Sequence, residues 1–304
     1  MCGSFAGRRG RLPLAADAGA HDDGSVLNPA PAEHLVHDGC NLAYRVRGNG
    51  EPVLLIQGVA TAGDAWRPQV DGLADGYRCL SFDNRGLGAS QPLAGPLTVA
   101  RMAADARALL DAQGWESAHV VGHSLGGPIA LELALTARAR VRSLSLLCTF
   151  ARGKDATRLT PYMFWWGMRT HVGTRAQRRA AFLRLVAPPE RIAQGEPAAL
   201  AAELGAVFGR DLADTPPVVG QQMAAMNAFD ARPRLAQLAG VPTLVVSATH
   251  DPIARPELGR ALAEGVPGAR FVEIDDSHAV IVSQPARVNG LLRAHFAAAD
   301  AARA

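Results

Sequence analysis

What the chain lacks narrows it first. No stretch approaches the run of about 18 apolar residues that a membrane-crossing helix needs, so no membrane span is expected. Lys154 is the single lysine, and the remaining positive charge is arginine scattered along the chain; with 31 Lys+Arg against 28 Asp+Glu the net charge is only +3, which argues against a nucleic-acid partner. Cys2, Cys40, Cys79 and Cys148 form no Cys-x-x-Cys pair, and three of them fall in strand-like runs where cysteine acts as a small hydrophobe, so reduced core thiols are expected. Gly86-Leu87-Gly88 and Gly126-Gly127 are too short for a dinucleotide fingerprint. His119 and His123 have a metal-like spacing but fall on a strand and its turn, where they do not share a face. Neither cofactor nor metal is expected. After Arg8-Arg9 the apolar run Leu12 to Ala16 is too short and polar for an export signal, which points to the cytoplasm.

What is present reads as one large α/β domain carrying an insertion: 304 residues, 48% hydrophobic and 19% charged. Residues 1–32 are rich in Ala, Gly, Asp and Pro without periodicity and read as an unstructured arm. Leu35-Val36 and Leu42 to Val46 alternate as an antiparallel hairpin about His37-Asp38-Gly39. From Pro52 onward apolar strands alternate with helical stretches: Val53 to Ile56, then Ala65 to Ala74; Arg78 to Phe82, then Val99 to Gln113; Ser117 to Val121, then Pro128 to Leu135; Val141 to Leu147. Such alternation builds a mostly parallel, twisted sheet of about eight strands with helices on both faces. After Thr98, an expected N-cap, Val99, Met102, Ala103, Ala106, Leu109 and Leu110 share one helical face, with Arg101, Asp105 and Arg107 off it. Residues 150–230 show helical patterns and prolines but no strand, and predict a lid at one edge of the sheet. Strands return at Thr243 to Ser247 and Arg270 to Ile274, and a closing helix buries Val288, Leu291, Leu292 and Phe296, so the core is expected over 33–149 and 231–304.

The run Val120-Val121-Gly122-His123-Ser124-Leu125-Gly126-Gly127 is a strand that stops at a serine between glycines. A strand turning directly into a helix strains the corner residue, and Gly122 and Gly126 let the chain pass close by; the serine hydroxyl then stands above the sheet, beside the unpaired N–H groups of a helix start. A serine needs a base, and the base an acid. Catalytic groups gather at the carboxyl ends of parallel strands. His278, in Asp275-Asp276-Ser277-His278, follows the last strand directly and is the best placed of nine histidines. His21, His34 and His37 precede the sheet, His171 and His295 lie in helical stretches, and His123 is expected to point away from the serine beside it. Asp251, at the end of Leu244 to Pro252, is the acid by the same logic; Asp275 and Asp276 lie too close in sequence to His278 to reach its ring readily.

Two further segments carry a resemblance. Asp83-Asn84-Arg85-Gly86-Leu87-Gly88-Ala89-Ser90 resembles the D-x-R-G-x-G-x-S loop, and Asp251 to Pro256 the D-x-x-x-x-P acid loop, of the α/β-hydrolase-fold serine hydrolases. The order Ser124, Asp251, His278 is also that family's. From about Leu35 to Phe296 the chain is similar to lidded carboxylesterases, enol-lactonases and cofactor-free perhydrolases. The resemblance implies Ser124, Asp251 and His278 as catalytic residues, the backbone N–H groups of Val59 and Leu125 as the oxyanion hole, and hydrolysis of a carboxylic ester or lactone through an acyl-enzyme. C–C bond hydrolysis, perhydrolysis, acyl transfer and a non-catalytic receptor on the same fold stay open. Where the family usually has His-Gly, this chain has Gln57-Gly58, and Gln57 either braces its loop or reaches substrate. Tyr162-Met163-Phe164-Trp165-Trp166-Gly167-Met168 gives the lid an aromatic face. The pocket is expected to draw on Gln57, Phe150, Tyr162, Trp165 and Trp166 and to take a small-molecule ester or lactone with an apolar acyl group. Arg169, Arg175, Arg178 and Arg179 leave a carboxylate-bearing substrate open.

Overall fold

The computed structural model describes Met1, residues 32–158 and residues 160–303. The arm expected over 1–32, with Cys2, Arg8-Arg9 and His21, lies outside the described residues apart from Met1 and Ala32.

The fold starts with a hairpin of β1 (Glu33–His37) and β2 (Cys40–Arg47). Asp38 and Gly39 at its turn have φ of 45° and 71°, the left-handed pair that lets two residues reverse a twisted ribbon. His34 and His37 therefore lie on the first strand itself, at the sheet edge. The remaining strands are β3 (Glu51–Ile56), β4 (Tyr77–Phe82), β5 (Ala118–His123), β6 (Val141–Leu147), β7 (Thr243–Ala248) and β8 (Arg270–Ile274). They form one sheet in the order β1-β2-β4-β3-β5-β6-β7-β8, antiparallel at β1 and β2 and parallel elsewhere. β5 and β7 are buried along their whole length, because helices cover both faces.

The crossovers are α1 (Arg67–Asp71), α2 (Val99–Ala112) and α3 (Gly126–Thr136). The helix expected over Ala65 to Ala74 is broken into a 3₁₀ turn and the single turn of α1, which ends at Gly72. Thr98 caps α2 as expected, its hydroxyl accepting from Arg101 N–H at 3.1 Å. Asp105 departs from the expected solvent face. It is buried beneath Arg85, which is itself fully buried and donates Nε–H to Asp105 Oδ2 at 2.6 Å, with a second bond from Nη2 to Oδ1. A carboxylate survives there because its partner reaches in from a loop 20 residues earlier.

Between β6 and β7 run α4 (Gly153–Ala156), α5 (Pro161–Arg169), α6 (Arg175–Val186), α7 (Pro189–Gln194), α8 (Pro197–Phe208) and α9 (Val219–Ala228). Thr160 caps α5, and Thr174 with Gln177 forms a reciprocal capping box on α6. An isolated bridge between Arg152 and Asp230 draws the two ends of this helical segment together. α10 (Pro256–Gly265), α11 (Val280–Ser283) and α12 (Pro285–Ala301) complete the chain. Cys40, Cys79 and Cys148 are free and buried; burial pushes the Cys79 thiol up to about 12, so it is held as an unreactive thiol.

Candidate active site

Ser124 stands between β5 and α3 with φ of 52°, a left-handed conformation costly for a residue with a Cβ. The surrounding bonds over-determine it. Ser124 N–H donates to Leu147 O at 3.1 Å, and its carbonyl accepts from Gly127 N–H at 2.9 Å and from Thr149 Oγ at 2.7 Å. Side chains are excluded around it: a Cβ on Gly122 would strike the Gly126 carbonyl, and one on Gly126 the Ile56 carbonyl.

The structure brings the three expected residues together from the ends of three parallel strands. Ser124 Oγ lies 3.0 Å from His278 Nε2, and His278 Nδ1 lies 2.7 Å from Asp251 Oδ2. The other Asp251 oxygen accepts from Ile253 and Ala254 N–H at 2.8 and 2.9 Å, so the carboxylate is buried, fully engaged and aimed. Asp276 accepts from Ser277 N–H, Ser283 Oγ and Gln284 Nε2 and braces the histidine loop instead, while Asp275 lies beside His250 at 3.0 Å.

His123 is tied to the histidine loop: its Nε2–H donates to the His278 carbonyl at 2.9 Å, and its ring lies 5.0 Å from that of His278. Burial, reinforced by His278, drives its pKa down to about 3, so the ring is neutral and can make this bond without adding charge to the site.

Gly58, after β3, packs so close that a Cβ there would come within 2.9 Å of Ser124 Cβ. Gln57 Oε1 accepts from Gly58 N–H and the Gln57 carbonyl accepts from Asn84 Nδ2, both at 3.0 Å, so the side chain does brace its loop; Gln57 Nε2 has no protein partner. Among the described residues, the N–H groups of Val59 and Leu125 donate to no protein group. Asp83 holds the next turn in place, accepting from Gly63 and Ala89 N–H at 2.7 and 2.9 Å.

A cavity of about 530 Å³ opens above Ser124 and His278. Its walls are mostly apolar: Met163, Phe164 and Met168 from α5, Phe182 and Leu185 from α6, Phe208 from α8, and Met223 and Met226 from α9. Of the residues expected to line it, only Gln57 does so. Phe150 is buried in the core. Tyr162 spends its hydroxyl on the Arg184 carbonyl at 2.6 Å, Trp166 packs under the Arg184 guanidinium and Trp165 is exposed. Along α5 the residues at 163, 164, 167 and 168 border the cavity, Phe164 and Met168 staying exposed, while Tyr162, Trp165 and Trp166 lie on the adjoining face. Arg175 and Arg179 are taken up by Asp211, which they hold well below the usual carboxylate range. His171, expected in a helix, occupies the turn after α5 and lines the cavity, as do Arg158, Arg210 and Asp214. No local pattern marked those four. Among the described residues no group of three His, Cys, Asp or Glu side chains could hold a metal ion, and no helix is long and apolar enough to cross a membrane.

A hydroxyl facing an imidazole, itself fixed by a buried carboxylate, can attack a carbonyl, and the unpaired N–H groups nearby can receive the charge that develops. With the eight-stranded sheet beneath it, this arrangement defines an α/β hydrolase. The family model for the alpha/beta hydrolase fold matches residues 51–285, and the chain belongs to that family. A relative from Azorhizobium caulinodans, provisionally named carbamate hydrolase RutD, is 36% identical over 83% of this chain and 93% of its own. The enol-lactonase from Burkholderia xenovorans LB400 superposes with a TM-score of 0.74 at 27% identity, over 87% of this chain and 100% of its own. A thermophilic esterase from Thermogutta terrifontis does so with a TM-score of 0.71 at 26% identity, over 89% and 99%. The chain is thus an enzyme of hydrolase type that acts on a small molecule.

Proposed function

We propose that this protein is a serine hydrolase that cleaves a carboxylic ester or lactone through an acyl-enzyme. The observation that carries this reading is the line Ser124 Oγ, His278 Nε2, His278 Nδ1, Asp251 Oδ2, with separations of 3.0 and 2.7 Å, at the floor of an apolar cavity. His278 Nε2 takes the Ser124 proton as Oγ bonds to the carbonyl carbon, and the carbonyl oxygen becomes an oxyanion held by Val59 and Leu125 N–H. Collapse breaks the bond to the alkoxide, which leaves with the proton from His278; for a lactone, it stays tethered to the acyl group. Water, deprotonated by His278, then adds to the acyl-enzyme, and Ser124 departs with its proton restored. Asp251 orients the imidazole and stabilises its charge. Residues 150–230 form the lid over a core of 33–149 and 231–304, and the methionine and phenylalanine wall accommodates an apolar acyl group.

The relative at 36% identity favours a second reading, in which the same serine attacks a carbamate carbonyl. A panel of p-nitrophenyl esters, lactones and carbamates separates the two. Ser124→Ala should lower turnover of a short p-nitrophenyl ester by at least about 10⁴-fold, and a fluorophosphonate should label the native serine. A variant that keeps most of the activity refutes the mechanism; failure of the native protein to react with the probe or turn over any panel member favours a receptor.

A further inference from the structure

The segment 57–61 after β3 is held by partners on both sides of the Val59 N–H. The peptide between Gln57 and Gly58 is fixed at both ends: Asn84 Nδ2 donates to its carbonyl and Gln57 Oε1 accepts from its N–H, each at 3.0 Å. The peptide between Val59 and Ala60 is also fixed at both ends. Thr61 Oγ donates to its carbonyl at 3.0 Å, and its N–H donates to Gln222 Oε1 at 2.9 Å. The peptide between them keeps its N–H, that of Val59, unengaged among the described residues.

Gln222 reaches Ala60 from 162 positions away in sequence, on α9 of the helical segment. It is fully buried, and its amide nitrogen has no partner. Burying an amide with one end unmet is unfavourable, so a position serving packing alone is better filled by leucine or methionine. The acceptor oxygen is what distinguishes glutamine here. Its target is unusual as well: Ala60 has φ of 59°, a left-handed conformation that an alanine holds only when its surroundings impose it. Arg210, beyond α8 in the same helical segment, grips the other side by donating Nε–H to the Ala60 carbonyl at 2.9 Å.

We infer that Gln222 is a positioning residue, which fixes the peptide between Val59 and Ala60 and thereby aims the Val59 N–H at the oxyanion. The inference rests on the serine-hydrolase reading above and extends it: the helical segment completes the oxyanion hole as well as walling the cavity, so seating that segment and assembling the anion site are one event. Because Gln222 does not line the cavity and touches no reacting atom, its effect falls on transition-state stabilisation and leaves ground-state binding alone.

The test compares Gln222→Met, which keeps the volume and removes the acceptor, with Thr61→Val, which releases the other end of the same peptide. For a p-nitrophenyl ester, each should lower kcat by about 10- to 100-fold, the scale for misplacing a group at a reacting centre. KM should stay within about twofold for Gln222→Met. Inhibition by a trifluoromethyl ketone, whose adduct with Ser124 carries an oxyanion, should weaken by about the same factor as kcat. The double variant should lose little more than the worse single one, since both release one peptide. Unchanged kcat and ketone affinity, or a loss confined to KM, overturns the inference; should Gln222→Met fail to fold, Thr61→Val decides by the same kcat and ketone criteria. Failure of the underlying reading has a different signature, because Ser124→Ala would then retain turnover.

Discussion

Removing the Asp105 carboxylate should destabilise the protein far more than its place in a helix with solvent-facing arginines suggests. Arg85 and Asp105 are both buried, joined by two hydrogen bonds, and His37 Nδ1 lies 2.8 Å from the same carboxylate. Asp105→Ala removes both close hydrogen bonds of the buried guanidinium and leaves it the longer ion pair to Asp38 at 3.7 Å, a loss of about 3–5 kcal/mol. With about 2.1 cal/mol/K of unfolding entropy per residue over the roughly 270 described residues, about 4 kcal/mol lowers Tm by about 7 °C. The control is the pair Arg85→Met with Asp105→Leu, which removes both charges along with their desolvation cost and should lie within about 1–2 kcal/mol of the native protein. Thermal melts and urea titrations of the three proteins read both quantities. A single variant within about 2 °C of native, or a double variant as unstable as the single, would show that a poorly paired buried charge is not what the substitution creates.

Gly58→Ala should lower kcat at least about 100-fold and Tm by about 2–5 °C, since the added Cβ meets Ser124 Cβ at 2.9 Å; native-like ester turnover would refute that close approach. Met163→Trp should narrow the cavity and reduce kcat/KM for an octanoyl ester about 10-fold relative to the acetyl ester, whereas an equal fall for both would place the acyl chain elsewhere. His123 and His119, driven down to about 3 and about 4 chiefly by burial, give stability a definite pH sign. Below the ordinary imidazole pKa of about 6.5 the unfolded chain takes up protons that the folded one refuses, so stability is at its full value above about pH 6.5 and falls as pH drops toward 4, by about 1.4 kcal/mol per unit for each histidine. A Tm that is flat from pH 7 to 5 would contradict it.

The strands could be read from the sequence because each is a run whose burial is decided locally. Val141–Leu147 and Arg270–Ile274 have the boundaries their apolar residues suggest, and the turn at Asp38-Gly39 is fixed by its own chemistry. Ser124, Asp251 and His278 were legible for a related reason: strand ends are visible in sequence, and a parallel sheet converts strand ends into neighbours. α5 resisted the same treatment. Both of its flanks carry large apolar side chains, so the spacing that identifies a helix does not say which flank borders the cavity; only the packing of α6, α8 and α9 sets Met163, Phe164 and Met168 along it and Tyr162, Trp165 and Trp166 beside it.

Asp105 and Gln222 fall on the far side of that boundary for a stronger reason. Each is a polar residue whose burial is made possible by a partner from a distant segment, Arg85 in one case and the backbone of Ala60 in the other. Periodicity assigns polar residues to water by default, and that default fails where tertiary structure supplies the missing hydrogen bond. Both exceptions connect to the loop after β3: the Arg85 that Asp105 holds belongs to the turn whose Asn84 holds the Gln57 carbonyl, and Gln222 holds Ala60 three residues further on. A loop that keeps the Val59 N–H unpaired, as the proposed oxyanion hole requires, cannot be stabilised by ordinary sheet or helix bonds at that point. Side chains must hold it from outside, and buried polar residues remote in sequence are the means available. The residues hardest to find by pattern are therefore those expected to gather around an anion-binding loop.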